Sequence, residues 1–245
     1  MSRLTASRRA GLTGAQLTVA WQAASLLLGY PDEELLGRLD LIRRASLDLP
    51  DHVGRPLREC VVQLEGVPLG ELEADYVDTF DNRRRHNLFL TYFAHGDTRK
   101  RGMALLRFKQ TYLASGFELT DTELPDHLCV VLEYAATIDR EQGRGLVMDH
   151  RAGLELLRIS LAEAGSRWAG AVEAVTATLP PLQGDEWEAV RRLAAEGPPD
   201  EEVGLTPYAT PAFDPGPALP DGPTPLPMPS FPAPSMRAPS MKGAS

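Results

Sequence analysis

Apolar residues recur at spacings of three and four positions along most of the chain before residue 197. Leu17, Trp21, Ala24 and Leu28 form one such stripe. This spacing places the apolar side chains on one face of a helix. Strict alternation of apolar and polar positions, which is typical of half-buried strands, appears nowhere at length. The pattern therefore predicts an all-α fold, arranged as a single globular helical bundle.

Capping residues and helix breakers predict where individual helices begin and end. Thr13 or Gly14 is expected to begin the first helix, and Asp32 and Asp97 are expected to cap two later ones. Pro125 suits the first position of a helix that contains the apolar residues of 128–138. Further helices are expected to open at 50–51 and to span about 72–80, 144–164, 168–178 and 185–195. A short helix or turn is expected over 88–94, and residue 116 is expected to end the helix that follows it.

The composition changes sharply near residue 197. Two thirds of the 21 prolines lie after it. Because proline removes a backbone donor and fixes φ, neither helix nor sheet can propagate through such a segment. Residues 198–245 are therefore expected to form a disordered tail with local polyproline II character. Residues 1–13 are expected to be a flexible leader, and residues 14–197 a single folded domain.

The chain is acidic, with a net charge of −9 and a pI of about 5.1. This charge disfavours nucleic acid as the main partner, because duplex binders need a basic surface. The basic residues between positions 83 and 109 are explained by an exposed, solvated helix face. Two arginines at positions 8 and 9 resemble an export signal, but Gln16 and Gln22 interrupt the apolar stretch that follows. We therefore expect a cytoplasmic protein.

No pattern in the sequence indicates catalysis. Cys60 and Cys129 lie far apart within apolar runs, and the five histidines are scattered. The chain has no zinc-ligand spacing, nucleophile elbow, phosphate-binding loop or dinucleotide-binding glycine motif. We therefore expect neither an enzyme nor a bound metal or cofactor. The alternative, an enzyme, would require a bound metal.

Aromatic residues cluster in the first half of segment 76–133. Tyr76 and Phe80 lie one helical turn apart, and Leu88 and Tyr92 follow closely. A glycine-containing turn comes next, which favours a cleft between two helical regions. Such a cleft suits a peptide with apolar anchors.

Acidic residues cluster in the second half of the same segment. Asp126 and Glu133 are seven residues apart and would share one face of a helix. With Glu123 they are expected to form an acidic surface for a basic segment of another protein, and His127 is expected on a neighbouring face of the same peptide site. An alternative is that Asp126 only caps its own helix. If it binds the peptide, Asp126→Asn should weaken binding and flatten its salt dependence.

With these motifs, the chain resembles the nitrate reductase delta subunit family. These are NarJ-type assembly chaperones within the wider TorD/DmsD-like group. The aromatic motif corresponds to residues 76–80, with Thr79 in place of leucine, and the Glu-(Pro)-x-Asp-His motif corresponds to Glu-Leu-Pro-Asp-His at residues 123–127. Segments typical of the nitrate reductase branch correspond to TFDNRR, LFLTY and GDTRKRG, the second with Phe89 in place of tyrosine.

The resemblance implies an all-helical cytoplasmic chaperone that is absent from the final enzyme. It would bind the N-terminal segment of the molybdenum-containing catalytic subunit of respiratory nitrate reductase. It would assist insertion of the molybdenum cofactor and delay membrane attachment until assembly is complete. Contact with cofactor-delivery proteins stays open. The chaperone itself is expected to be a monomer.

Two other functions remain open on the sequence. The chain could serve another molybdoenzyme of the TMAO or DMSO reductase type. It could also be an adaptor whose proline-rich tail is the ligand of an aromatic groove in another protein.

Overall fold

The computed structural model describes residues 11–120 and 123–197, and these residues form eleven α-helices. The all-α prediction is therefore confirmed. One isolated antiparallel bridge, between Phe89 and His127, is the only strand-type pairing in the described ranges. The helices are α1 (Gly14–Leu28), α2 (Glu33–Ala45), α3 (Asp51–Leu64), α4 (Leu69–Tyr76), α5 (Leu90–His95), α6 (Arg99–Ala114), α7 (Leu128–Thr137), α8 (Arg140–Asp149), α9 (Arg151–Glu163), α10 (Ala169–Ala177) and α11 (Gly184–Glu196).

Several helix ends follow the local sequence signals. Thr13 caps α1, and its side chain and that of Gln16 bond to each other's backbone N–H groups in a capping box. The Asp32 carboxylate accepts a bond of 2.7 Å from the Leu35 N–H at the start of α2. Gly116 has a positive φ of 73° just after α6, as a helix C-terminus favours. These local predictions are confirmed.

Other boundaries differ from the sequence prediction. Asp97 does not cap α6; its carboxylate instead accepts a bond from Arg101 at 3.0 Å. Helix α7 begins at Leu128, so Pro125 is not its first residue. The helix expected over 144–164 is divided at His150 into α8 and α9, and α4 ends at residue 76. The predicted leader and tail lie largely outside the described residues, so the division of the chain at 13 and 197 stays a prediction.

Helix α1 lies at the centre of the core and packs against α3, α7 and α10. Its Trp21 is fully buried, and the indole N–H donates to the Thr178 hydroxyl at 2.9 Å. A second fully buried tryptophan, Trp168, precedes α10. The two large rings fill space between the helices and belong to the buried apolar surface, whose removal from water is the dominant favourable contribution to folding.

Gly170 allows α10 to approach α3 closely. A Cβ at this position would lie 2.2 Å from the carbonyl oxygen of Pro56. Because the obstacle is backbone, Gly170→Ala is expected to lower the free energy of unfolding by about 1–3 kcal/mol. Urea unfolding measures the change.

The matched control is Gly145→Ala on α8, where nothing lies within 4 Å of the added Cβ. It should raise stability by up to about 1 kcal/mol, because alanine favours the helix over glycine. Equal effects of the two substitutions would contradict the close approach of α3 and α10.

Candidate peptide-binding groove

An open groove of about 500 Å³ lies beside the end of α1, the end of α4 and the first turns of α7. Residues 123–127, which precede α7, and Phe89, which precedes α5, complete its walls. It is lined by Gly29, Tyr30, Tyr76, Phe89, Glu123, Leu124, His127, Cys129, Val130 and Glu133.

Aromatic rings form one wall of the groove. Tyr30 is 53% exposed, and its ring lies edge-on to that of Tyr76, with the centroids 5.4 Å apart. Tyr76 is fixed from behind, because its hydroxyl donates to the Leu28 carbonyl at 2.9 Å. Its ring also contacts Phe80 at 4.7 Å and Trp168 at 5.4 Å. The exposed Tyr30 therefore rests on a rigid aromatic stack.

A π-helical segment, Val77–Asp81, continues α4 and orients this stack. The wider turn lets Phe80 as well as Tyr76 reach Trp168, at 5.5 Å for Phe80. Thr79, which replaces the leucine of the family motif, is buried, and its carbonyl contacts the ring Nδ1 of His86 at 3.0 Å. The substitution at position 79 therefore affects the interior behind the groove rather than its lining.

The short antiparallel bridge places Phe89 beside His127. The Leu90 N–H donates to the Asp126 carbonyl at 3.0 Å, and the Leu128 N–H donates to the Leu88 carbonyl at 2.8 Å. The two rings of the bridge meet edge to face at 5.1 Å. The bridge thus supplies an aromatic pair, Phe89 and His127, to the lining of the groove.

Asp126 is fully buried, which corrects the expectation that its carboxylate belongs to an acidic surface. Its Oδ2 accepts bonds from the N–H and the hydroxyl of Thr91, and the Arg101 guanidinium lies 3.8 Å away. The seven-residue spacing to Glu133 assumed one continuous helix. Because α7 begins only at Leu128, Asp126 turns inward instead.

The remaining charges of the groove are negative. Glu123 and Glu133 are both exposed, and no lysine or arginine is among the described residues that line the groove. Burial lowers the pKa of His127, an effect that the nearby Asp126 partly opposes, so the imidazole is neutral at neutral pH. Burial raises the pKa of Cys129 to about 12, which keeps its thiol protonated. The groove therefore combines apolar rings with two carboxylates.

The structure brings together half of the residues predicted for the site. Tyr76, Glu123, His127 and Glu133 line one groove. The other four are buried and outside its lining; they are Phe80, Leu88, Tyr92 and Asp126. Whether any of the eight binds a peptide stays a prediction.

Sequence reasoning missed three prominent groove residues, namely Tyr30, Phe89 and Leu124. Tyr30 lies between the glycine that ends α1 and Pro31, and an aromatic residue in such a turn is a signal that could have been used. Phe89 becomes visible only through the bridge, which pairs residues that are distant in sequence.

The described residues contain neither a candidate metal-binding group nor a helix that could span a membrane. Within 11–120 and 123–197 there is no group of three or more histidine, cysteine, aspartate and glutamate side chains that could hold a metal ion. Across the same ranges, every helix is too short or too polar to cross a membrane.

The amino-acid sequence matches a known protein family. The model of the family described as "Nitrate reductase delta subunit" matches residues 36–174, which is more than half of the chain. The probable nitrate reductase molybdenum cofactor assembly chaperone NarJ of Bacillus subtilis is 32% identical over 165 residues. That match covers 66% of this chain and 88% of the relative.

Two further relatives extend the comparison. The nitrate reductase molybdenum cofactor assembly chaperone NarJ of Escherichia coli K12 is 32% identical over 148 residues, covering 59% of this chain and 63% of the relative. The nitrate reductase-like protein NarX of Mycobacterium tuberculosis H37Rv is 43% identical over 162 residues, covering 65% of this chain. This chain spans only 24% of the length of the mycobacterial relative. From the family model and the Bacillus relative together, the chain belongs to the nitrate reductase delta subunit family.

Proposed function

We propose that this chain is an assembly chaperone for the molybdenum-containing catalytic subunit of a nitrate reductase. The names of the Bacillus and Escherichia relatives support this role, since both are described as molybdenum cofactor assembly chaperones of nitrate reductase. The absence of any catalytic motif in the sequence is consistent with a protein that binds a client rather than converting a substrate.

The N-terminal segment of the catalytic subunit binds in the groove as an amphipathic helix. One observation carries this assignment: exposed aromatic surface and two exposed carboxylates line the same groove. The apolar face of the helix packs on Tyr30, Tyr76 and Phe89, and its basic residues lie near Glu123 and Glu133. A helix laid into an apolar groove is a common mode of peptide recognition.

In this proposal, binding of the N-terminal segment by the chaperone sets the order of the assembly steps. While the chaperone holds this segment in the cytoplasm, the catalytic subunit stays competent for cofactor insertion. The same contact delays attachment of the subunit to its membrane anchor. The chaperone then dissociates as a monomer and is absent from the finished enzyme.

Calorimetric titration tests the proposal directly. The full chain is titrated with a peptide that matches the N-terminus of the nitrate reductase catalytic subunit from the same genome, at low and at high salt. We expect binding that weakens with salt, because the ends of the peptide pair with exposed carboxylates. A scrambled peptide of the same composition keeps the charge but loses the apolar face, and should bind at least tenfold more weakly.

Absence of binding at both salt concentrations would contradict the proposal. Co-purification from the native host separates the two classes of client. Recovery of a TMAO or DMSO reductase type enzyme in place of nitrate reductase would assign the chaperone to that client.

A further inference from the structure

The outward face of α6 presents a row of apolar side chains to solvent. Met103 is 70% exposed, Leu106 45% and Leu113 61%. At 100° per residue, these side chains fall within an arc of about 80° on the helix surface. The opposite face of α6 packs inward through the buried rings of Phe108 and Tyr112. The exposed apolar residues therefore share one face of the helix, which we call the ridge, and Gln110 lies between Leu106 and Leu113 on the same face.

Basic residues flank this ridge on both sides. Arg107 and Lys100 lie along one side and Lys109 along the other, and all three are exposed. Arg107 pairs with Asp149 at 2.8 Å, whereas Lys100, Lys109 and Arg99 form no ion pair within the described part of the chain. Helix α6 contains no acidic residue. The helix is thus a positive patch on a chain whose net charge is −9.

We propose that the outer face of α6 docks on an anionic lipid surface. An apolar ridge with cations on both sides is the arrangement of a helix that lies in the plane of a membrane interface. The apolar side chains enter the boundary between headgroups and acyl chains, and the flanking cations meet lipid phosphates. The rest of the chain is acidic and is repelled by the same lipid surface. The protein therefore docks with α6 facing the membrane. This activity goes beyond the proposed binding of a client peptide.

The charge of α6 argues against symmetric pairing of this helix with the α6 helix of a second copy of this chain. Symmetric pairing of two α6 helices would place cations opposite cations, which disfavours association. Gln110 is the one uncharged polar side chain among the outermost residues of the ridge, so few groups are present to specify a partner by hydrogen bonds. A fluid anionic surface needs no such specification.

Vesicle co-sedimentation of the full chain tests the proposal. We expect binding to vesicles of phosphatidylcholine with phosphatidylglycerol, no binding to phosphatidylcholine alone, and weakening with salt. The triple variant Arg99→Gln, Lys100→Gln, Lys109→Gln should lose about fivefold in affinity for each charge removed. The variant Met103→Ser, Leu106→Ser, Leu113→Ser should lose at least tenfold.

The control variants replace exposed apolar residues and exposed arginines outside α6 in the same way. Leu41, Leu47 and Val62 are 59%, 64% and 61% exposed, and their replacement by serine should leave vesicle binding unchanged. Replacement of Arg38, Arg44 and Arg191 by glutamine should cost much less than the α6 charge variant. Vesicle binding that survives both α6 variants would overturn the proposal. Binding of polyglutamate without binding of anionic vesicles would also overturn it and would assign the ridge to an acidic protein partner.

Discussion

Replacing Asp126 by alanine is expected to lower the free energy of unfolding by about 3–5 kcal/mol. The Asp126 side chain is fully buried and joins the loop before α7 to the N-terminus of α5. Its loss leaves the Thr91 N–H and hydroxyl without their acceptor and removes the closest buried carboxylate from the Arg101 guanidinium, 3.8 Å away. Leaving the two Thr91 donors buried without an acceptor costs more than their bonds contribute, whereas Arg101 keeps its pair with Asp97 at 3.0 Å.

Asp97→Ala provides the matched control, because Asp97 is the exposed carboxylate that pairs with the same Arg101. An exposed pair of this kind contributes about 0–1 kcal/mol, so the control should stay close to the wild type. Urea unfolding compares the two variants. Similar stabilities for Asp97→Ala and Asp126→Ala would show that the buried network does not hold the loop to α5.

The conservative variant Asp126→Asn separates stability from recognition. The sequence suggested that this substitution would flatten the salt dependence of peptide binding. Because Asp126 offers no surface to the groove, we now expect the salt dependence in the folded variant to match that of the wild type. A weaker salt dependence of peptide binding in Asp126→Asn would show that the Asp126 carboxylate contacts the peptide.

Local patterns predicted most of the fold, because the groups that decide a helix end lie close together in sequence. Thr13 and Gln16 are three residues apart, and so are Asp32 and the backbone N–H that it caps. The apolar spacing of α1 predicted its buried face, since Trp21, Ala24 and Leu28 are all buried. Such features need no knowledge of the tertiary structure.

The buried position of Asp126 could not be predicted in the same way. As a local signal, Pro125 with Asp126 favours the first turn of a helix. The competing partner, Thr91, lies 35 residues away and is brought close only by packing of the two segments. Once α7 begins at Leu128, the helical phase that grouped Asp126 with Glu133 no longer applies. The local capping rule was wrong for Asp126, because its carboxylate bonds to Thr91 instead of capping a helix.

The groove shows the same distinction between local and long-range information. Tyr76 was identified from its aromatic motif, whereas Phe80, from the same motif, lies behind it against Trp168. The π-helical segment after Tyr76 changes the direction of the next turn, and sequence spacing alone does not reveal such a segment. The sequence therefore predicted which segments border the candidate groove better than it predicted which side chains line it.

Reversing both carboxylates of the groove is expected to weaken binding of the client peptide about 30-fold. In Glu123→Lys, Glu133→Lys, each reversal removes an attraction worth about 0.5 kcal/mol at an exposed site and adds a repulsion of similar size. Two reversals therefore cost about 2 kcal/mol, which corresponds to the expected change in Kd. Both side chains are exposed, so the fold should tolerate the substitutions.

The control reverses two exposed carboxylates outside the groove, in Glu163→Lys, Glu188→Lys, and so changes the net charge equally. Calorimetry at several salt concentrations then separates local pairing from the overall field of the protein. If only the groove variant loses affinity, and its remaining binding no longer weakens with salt, Glu123 and Glu133 are the contacts of the basic residues. Equal losses in both variants would mean that the net charge of the chain attracts the peptide. An unchanged affinity in the groove variant would place recognition on the aromatic wall, because Tyr30 and Tyr76 keep their contacts in both variants.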